Sequence, residues 1–365
     1  MEKVDKLIIG AGVIGLSVAK VLSEVYDDVV VVDKERSFGL HTSSRNSEVL
    51  HSGIYYPQNS YKAKLCVKGL NMLYNFARNN NIQYNNCGKL IVATQEEEIP
   101  ELIKLKENGV KNGVQDLELI EEDECKNLEP QIKAVKALKV KSTGIIDTHE
   151  LMQKLEKKAE ENGAFLVYKM EVVSINRRND SYQVNFGNGD IFVAQTVINC
   201  AGLHSDRIAS KVGISLKREK LKLHWCKGEY YKSNRIQNIE HLIYPLPDPT
   251  GVSLGIHLTI NLNSEVRFGP NAYYVNELDY KMDEKYKQEF LSAINRYIEV
   301  EADELHLDDC GIRPKLQGPN DDFRDFYIKE ESDKNLPNFI NAIGIESPGL
   351  TSCLAIAERI KDLLN

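Results

Sequence analysis

Hydrophobic residues along this chain fall into short runs and helical stripes, with no long apolar block. Leu7-Ile8-Ile9 is an apolar run; Leu16, Ala19, Val21 and Leu22 follow at helical spacing; residues 29–32 are four valines ending at Asp33. Neither run alternates with polar residues, so the order predicts strand, helix, strand, with both strands covered on two faces. Asp147 and Glu150 have the spacing of a capping box, Leu151, Met152, Leu155 and Ala159 share one helical face, and Gly163 ends that helix. Residues 165–168 and 171–175 read as strands. Residues 182–186 and 191–194 predict a hairpin across Gly187-Asn188-Gly189. Residues 196–199 predict a further buried strand, followed by Cys200-Ala201-Gly202 and a helix opened by Ser205 and Asp206. Near the C-terminus, residues 338–344 read as a strand. The turn through Glu346-Ser347-Pro348-Gly349-Leu350-Thr351-Ser352 then leads into a helix with Leu354, Ala357, Ile360 and Leu364 on one side. Lys133, Lys136, Lys139 and Lys141 alternate with apolar residues, the pattern of a solvated strand edge that blocks further pairing.

Composition narrows the class. The 365 residues are 42% hydrophobic, enough for one large or two interleaved domains. A formal net charge of −8 argues against a general nucleic-acid binder, which needs clustered Lys and Arg. The seven cysteines are scattered without a CxxC pair, which fits reduced thiols in a cytoplasmic chain better than a disulfide framework. His224 and Cys226 flank Trp225 but lack a second ligand pair, so no metal site is expected. No window approaches the ~18 consecutive apolar residues of a membrane span, so no integral membrane segment is expected and peripheral contact stays open.

The first strand–helix–strand unit carries chemistry. Gly10-Ala11-Gly12-Val13-Ile14-Gly15 lies between the first strand and the helix. Gly10 permits a tight turn, Gly12 lets a pyrophosphate approach the backbone, and Gly15 lets helix and strand pack closely. The helix N-terminus favours phosphate, and Asp33 can accept from ribose hydroxyls. The βαβ context and the acid ~20 residues on make this a dinucleotide cradle, without separating NAD from FAD. A second glycine-bearing strand-to-helix turn at Cys200-Ala201-Gly202 suits a longer cofactor lying across the sheet edge. The turn at Gly349, Leu350, Thr351 and Ser352 would aim helix N–H groups at a flavin pyrimidine ring, stabilising negative charge there.

At these residues the chain resembles the D-amino-acid-oxidase-like superfamily of flavoproteins, and within it the L-2-hydroxyglutarate dehydrogenase/oxidase family. The stretches that carry the likeness begin Asn46-Ser47-Glu48-Val49-Leu50-His51-Ser52-Gly53-Ile54-Tyr55-Tyr56, Lys62-Ala63-Lys64-Leu65-Cys66 and Cys87-Gly88-Lys89-Leu90-Ile91-Val92-Ala93. They continue with Cys200-Ala201-Gly202-Leu203, Ile243-Tyr244-Pro245-Leu246-Pro247-Asp248, Leu254-Gly255-Ile256-His257-Leu258-Thr259 and Phe268-Gly269-Pro270-Asn271-Ala272. The resemblance implies FAD and oxidation of a carbon bearing a hydroxyl beside a carboxylate, by hydride transfer to flavin N5. It implies an α/β architecture: a Rossmann-like FAD-binding domain (residues 1–80, 143–210 and 310–365) interleaved with a mixed, antiparallel-rich substrate domain (81–142 and 211–309). Three features depart from the family. The chain is shorter between Ala272 and Gly311, Gly311-Ile312-Arg313-Pro314 is more like the glycine-oxidase branch, and Ser347-Pro348-Gly349-Leu350-Thr351 replaces Ser-Pro-Ala-Ala-Thr. A secondary-amine or amino-acid oxidase, or a non-catalytic flavin-binding protein, are the alternatives.

Such a reaction needs a cation for the carboxylate and a base for the hydroxyl proton. Arg313 is the expected carboxylate ligand, since a guanidinium fork matches it bidentately; the alternative is a structural role beside Asp308, Asp309 or a carbonyl. His51 and His257 are the candidate bases, with His257 expected on a strand over residues 254–258. Tyr55, Tyr56 and Tyr244 are candidate donors, and Lys89 is a candidate for a distal carboxylate, with a surface lysine as the alternative. The polar loop Thr42, Ser43, Arg45, Asn46 and Ser47 is expected to wrap the cofactor, together with Lys34, Val172, Gly311 and Arg313. In some relatives flavin is tethered through a Cys at the place of Cys310, although an isolated Cys is more often buried and inert. The electron acceptor, oxygen or a quinone or other carrier, is not encoded in any motif.

Overall fold

The structure is a computed structural model that describes residues 1–246 and 255–364. Its centre is a five-stranded parallel layer in the order Phe165–Tyr168, Val29–Asp33, Glu2–Ile9, Ile191–Asn199, Leu336–Ile343. Antiparallel strands Val172–Arg178, Ser181–Phe186 and Tyr327–Glu331 extend it to eight. This is the doubly wound arrangement that binds ligands beyond the C-terminal ends of its strands.

The apolar runs are continuous because each face has its own core. Ile8, Val29, Val31 and Ile198 pack under the helices Val13–Leu22, Thr148–Glu161 and Gly349–Asp362. Leu7, Ile9, Val30, Val32 and Val197 point the other way, onto Met170, Val184 and Ile208. Gly10 turns the chain at φ +111°, and a Cβ there would sit 2.4 Å from the Cys200 carbonyl oxygen; a Cβ on Gly15 would sit 1.8 Å from the Gly10 oxygen. The two glycines thus let the helix, the first strand and the Cys200 turn share one point.

Two local expectations change in detail. The two runs 191–194 and 196–199 form one nine-residue strand, Ile191–Asn199, parallel to Glu2–Ile9 along its length. On its other side it pairs first with Ser181–Phe186 and then with Leu336–Ile343, so what changes near Gln195 is the partner and not the strand. The capping box is half present: the Asp147 carboxylate accepts from Glu150 N at 2.7 Å, but Glu150 turns away to accept from Gln83 N at 2.8 Å.

A nine-stranded sheet faces the first. Its order is Tyr273–Val275, His224–Ser233, Val266–Phe268, Leu258–Ile260, Leu242–Pro245, Lys89–Ala93, Lys136–Val140, Leu117–Glu121, with His306–Lys315 also on His224–Ser233. All its pairs are antiparallel except Leu242–Pro245 with Lys89–Ala93. The lysine strand is therefore not an edge. Lys136–Val140 is interior, and its lysines meet carboxylates from the neighbouring segment: Lys136 with Glu121, Lys139 with Glu124 at 3.7 Å, Lys141 with Glu118 at 2.9 Å. Alternation alone cannot tell a solvated edge from a strand whose charges are paired across the sheet. A small sheet of Val49–Leu50, Gly144–Ile146 and Tyr84–Asn85 sits beside these two. Among the described residues no helix is long and apolar enough to cross a membrane.

Candidate active site

Two cavities, of about 570 and 320 Å³, lie at the C-terminal ends of the parallel strands and share Gly12, Thr42, Ser43, Cys200 and Gly202 as a common neck. The smaller is lined by Gly10, Asp33, Lys34, Val172 and Ala201. The larger is lined by Val13, Ile14, Arg45, Asn46, Ser47, His51, Tyr56, Tyr244, His257, Gly311, Arg313, Gly349 and Leu350. The separated glycine turns thus meet around one extended trough whose neck lies at a helix N-terminus, an arrangement suited to a dinucleotide. Pro247, Asp248 and Leu254 lie outside the described residues.

Not every expected cofactor residue faces the trough. The Asp33 carboxylate lines the smaller cavity while accepting from Ala11 N at 2.7 Å and Glu35 N at 2.8 Å, so it also braces the glycine turn. Gly15, Thr351 and Ser352 pack behind the walls. Thr351 Oγ1 accepts from His51 N at 2.9 Å, and Cys66 Sγ donates to His51 O at 3.2 Å, so two helices clamp the backbone of His51. The loop 42–47 is stitched to the strand that carries Arg313: Thr42 Oγ1 donates to Ile312 O at 3.0 Å, and Arg45 pairs with Asp309 at 2.8 Å. Asn46 braces the loop internally, donating to Ser43 O and accepting from Glu48 N. The Cys310 thiol donates to Tyr280 O at 3.0 Å and lies on the opposite strand face from Gly311 and Arg313.

Arg313 keeps its charge for the cavity. Asp308 is taken by Arg267 and Asp309 by Arg45, while Arg313 Nη2 donates to Asn271 O at 2.8 Å. Among the described residues Arg313 forms no ion pair, although it lines the larger cavity.

Both histidines are neutral at pH 7. His257 sits just before the strand Leu258–Ile260 rather than within it, and its Nδ1 is 3.0 Å from Gly255 O. A carbonyl only accepts, so Nδ1 carries the proton and Nε2 holds a lone pair. Burial pushes the His257 imidazole down to about 3, with the Lys89 and Arg313 charges acting in the same direction. His51 is also held well below the usual histidine value by burial, Lys89 and His257, and its Nδ1 is buried without a partner among the described residues.

Behind this wall lies Lys89, 0% exposed, with no hydrogen-bond partner for its ammonium among the described residues. It rests between the rings of Tyr55 and Tyr244, 4.6 and 4.7 Å from their centroids, and burial lowers it to about 7. Tyr244 in turn stacks on His257 with centroids 3.8 Å apart. Lys89 does not line the cavity, so its cation is felt through the aromatic wall. Burial keeps the phenols of Tyr56 and Tyr244 far above their ordinary value, hence protonated; the Tyr56 hydroxyl is 3.4 Å from Ser347 Oγ.

Sequence reasoning did not single out a further group on the cavity wall: Lys62, Lys315 and Glu346. Lys62 Nζ and Lys315 Nζ bond the two oxygens of Glu346 at 2.9 and 3.1 Å. Burial alone would raise the Glu346 carboxyl, but the two ammoniums hold it down at about 2. The available signal was the spacing of Arg313 and Lys315, two apart on a strand and so on one face.

Comparison with known proteins agrees with this geometry. The profile of the FAD-dependent oxidoreductase (DAO) family matches residues 5–363. The chain is 37% identical over an alignment 405 positions long to the mitochondrial L-2-hydroxyglutarate dehydrogenase of Arabidopsis thaliana, covering 98% of this chain and 83% of that protein. It is 33% identical to the L-2-hydroxyglutarate dehydrogenase of Escherichia coli (strain K12), covering 86% of this chain and 71% of that protein. Among solved structures, the dithionite-reduced L-alpha-glycerophosphate oxidase from Mycoplasma pneumoniae with FAD bound superposes with a TM-score of 0.90 at 25% identity, covering 100% of this chain and 95% of that chain. Glycine oxidase from Geobacillus kaustophilus shares the fold, with a TM-score of 0.84 at 18% identity, covering 100% of this chain and 95% of that chain.

Proposed function

Because the chain belongs to the DAO family of FAD-dependent oxidoreductases, we propose that it oxidises a small 2-hydroxy acid to the 2-oxo acid, with L-2-hydroxyglutarate as the substrate. The observation that carries this reading is an arginine, Arg313, with no ion pair among the described residues, sharing one cavity with two neutral histidines at the end of a dinucleotide trough. The names of the relatives supply the particular acid.

The trough fits FAD. Gly10, Gly12, Val13, Ile14, Asp33, Lys34, Thr42, Ser43, Cys200, Ala201 and Gly202 would hold its adenosine and pyrophosphate; Arg45, Asn46, Ser47, Gly311, Gly349 and Leu350 would hold the ring end. When bound, FAD supplies the acceptor for the hydrogen leaving the substrate carbon. Arg313 binds and orients the substrate carboxylate, donating from the guanidinium edge that Asn271 O leaves open. His257 is the stronger candidate for the hydroxyl proton, since its Nε2 lone pair is fixed by the Nδ1 bond to Gly255; His51 is the other. A carboxylate arriving at Arg313 raises the proton affinity of either imidazole, so the base strengthens when substrate binds. Tyr56, kept protonated, can donate to a substrate oxygen. Tyr244 aligns His257 by stacking. The segments 1–80, 143–210 and 310–365 act as the FAD unit, and 81–142 with 211–309 as the substrate unit, except that residues 310–315, on the strand His306–Lys315, belong to the nine-stranded sheet of the substrate side.

Incubating the FAD-loaded protein with L-2-hydroxyglutarate and an artificial electron acceptor tests the reaction. Stoichiometric 2-oxoglutarate is expected. Release of ammonia or an aldehyde from amino acids or secondary amines, with no 2-oxo acid from any hydroxy acid, would reject it.

A further inference from the structure

The larger cavity carries more buried positive charge than one carboxylate can use. Lys62 and Lys315 are each only 6% exposed, and they share one carboxylate, Glu346, itself 5% exposed. One positive charge is left over, and Arg313 adds a second. Among the described residues, the other acids that line the cavity are Asp321 and Asp322, both exposed at its rim, and Asp321 is engaged by Gly318 N at 2.8 Å. Buried cations in excess of their counter-ions are costly unless a ligand supplies the missing charge. Two charges in excess call for a dianion.

The strand His306–Lys315 sets the spacing. Arg313 and Lys315 are two residues apart on one face, and both line the cavity. Two residues along a strand span about 6.6 Å, close to the reach of a five-carbon chain with a carboxylate at each end. Lys315 bonds Glu346 through one of its three donors, and Lys62 holds the other Glu346 oxygen while lying 5.3 Å from the centroid of the Phe323 ring. Glu346 therefore fixes both ammoniums in place beside Arg313 and leaves donors to spare.

We propose that Lys315 and Lys62, bridged by Glu346, form a subsite for the second carboxylate of the substrate, so that this enzyme selects 2-hydroxy diacids over 2-hydroxy monoacids. The inference rests on the 2-hydroxy-acid reading and adds the residues that set the substrate class. Arg313 takes the carboxylate beside the reacting carbon and the lysine pair takes the far one. Lys89, which sequence alone made a candidate for that role, is sealed behind Tyr55 and Tyr244.

The test compares the FAD-loaded enzyme with its Lys315→Met variant on L-2-hydroxyglutarate and L-2-hydroxyvalerate, which has a methyl group in place of the far carboxylate. A charge-assisted contact of this kind supports a loss of roughly 100-fold in kcat/KM for the diacid, with the monoacid changing by less than about threefold. An equal loss on both substrates overturns the subsite. Lys62→Met is the second variant and should lose about tenfold on the diacid alone. A binding arm needs no turnover: glutarate and pentanoate are titrated into the wild-type holoenzyme and followed by perturbation of the flavin spectrum. Tighter binding of glutarate supports the subsite even if no hydroxy acid is oxidised. Equal affinities overturn it even if hydroxy acids are good substrates, and that arm decides if neither variant loads FAD.

Discussion

At the scale of single residues, the site depends on charges that the fold has left unspent. Arg313 escapes the two aspartates nearest it in sequence because Arg267 and Arg45 occupy them. Replacing Arg313 with Lys keeps the charge but loses the planar fork, so a rise of at least about tenfold in KM for the 2-hydroxy acid is expected in steady-state kinetics. A KM within twofold of the wild type would remove Arg313 from the carboxylate site. The neutral histidines carry a stability consequence. His257 titrates near 6.5 when unfolded but only near 3 when folded, so its folded form is favoured above pH 6.5. As pH falls from 6.5 towards 3 the unfolded chain takes up a proton that the folded chain refuses, at about 1.4 kcal/mol per pH unit. The His257→Asn variant should therefore lose less thermal stability than the wild type between pH 6.5 and 4.5, measured as the change in Tm. Parallel Tm profiles would show that His257 is not buried neutral. Arg313, His51 and His257 were singled out in the sequence by the chemistry of their side chains and by the family likeness, and all three line one cavity. The Lys62–Glu346–Lys315 bridge was not, since its members come from three distant segments. Lys89 was expected either at a distal carboxylate or on the surface, and tertiary packing instead buries it behind the cavity wall.

At the scale of elements, local periodicity predicts what local contacts decide. The glycine turn, its helix and the two flanking strands need only neighbouring residues, and they stand where the pattern places them. A Gly10→Ala change should abolish FAD retention during purification: the residue would need φ +111° and its Cβ would sit 2.4 Å from the Cys200 oxygen. Normal flavin content after gel filtration would contradict this close approach. The helix Thr148–Glu161 offers a milder test, because Asp147 caps it through Glu150 N. Asp147→Ala should cost about 1 kcal/mol in denaturant unfolding of the protein, and no measurable change would mean that the cap is redundant. Where the partner strand comes from elsewhere in the chain, periodicity falls short. The lysines of Lys136–Val140 looked solvated because Glu118, Glu121 and Glu124, which pair with them, lie in a different segment. Likewise the break near Gln195 marks a change of neighbour that no residue in the strand announces.

At the scale of the whole molecule, two sheets close over one trough, and each contributes what the other lacks. The parallel sheet brings the glycine turns and helix N-termini; the mixed sheet brings His257, Tyr244, Arg313 and Lys315. Binding FAD along this seam should stabilise the protein by linkage, so Tm should rise with added FAD, as read by thermal unfolding of flavin-stripped protein. An unchanged Tm at saturating FAD would mean the two cavities do not act as one site. The most direct measurement is an anaerobic titration of the FAD-loaded protein with L-2-hydroxyglutarate, D-2-hydroxyglutarate, glycine and sarcosine, followed at the flavin absorbance band. Bleaching by the L-hydroxy acid alone is the expected result. A flavin that stays oxidised with the hydroxy acids and bleaches with glycine or sarcosine would contradict the assignment.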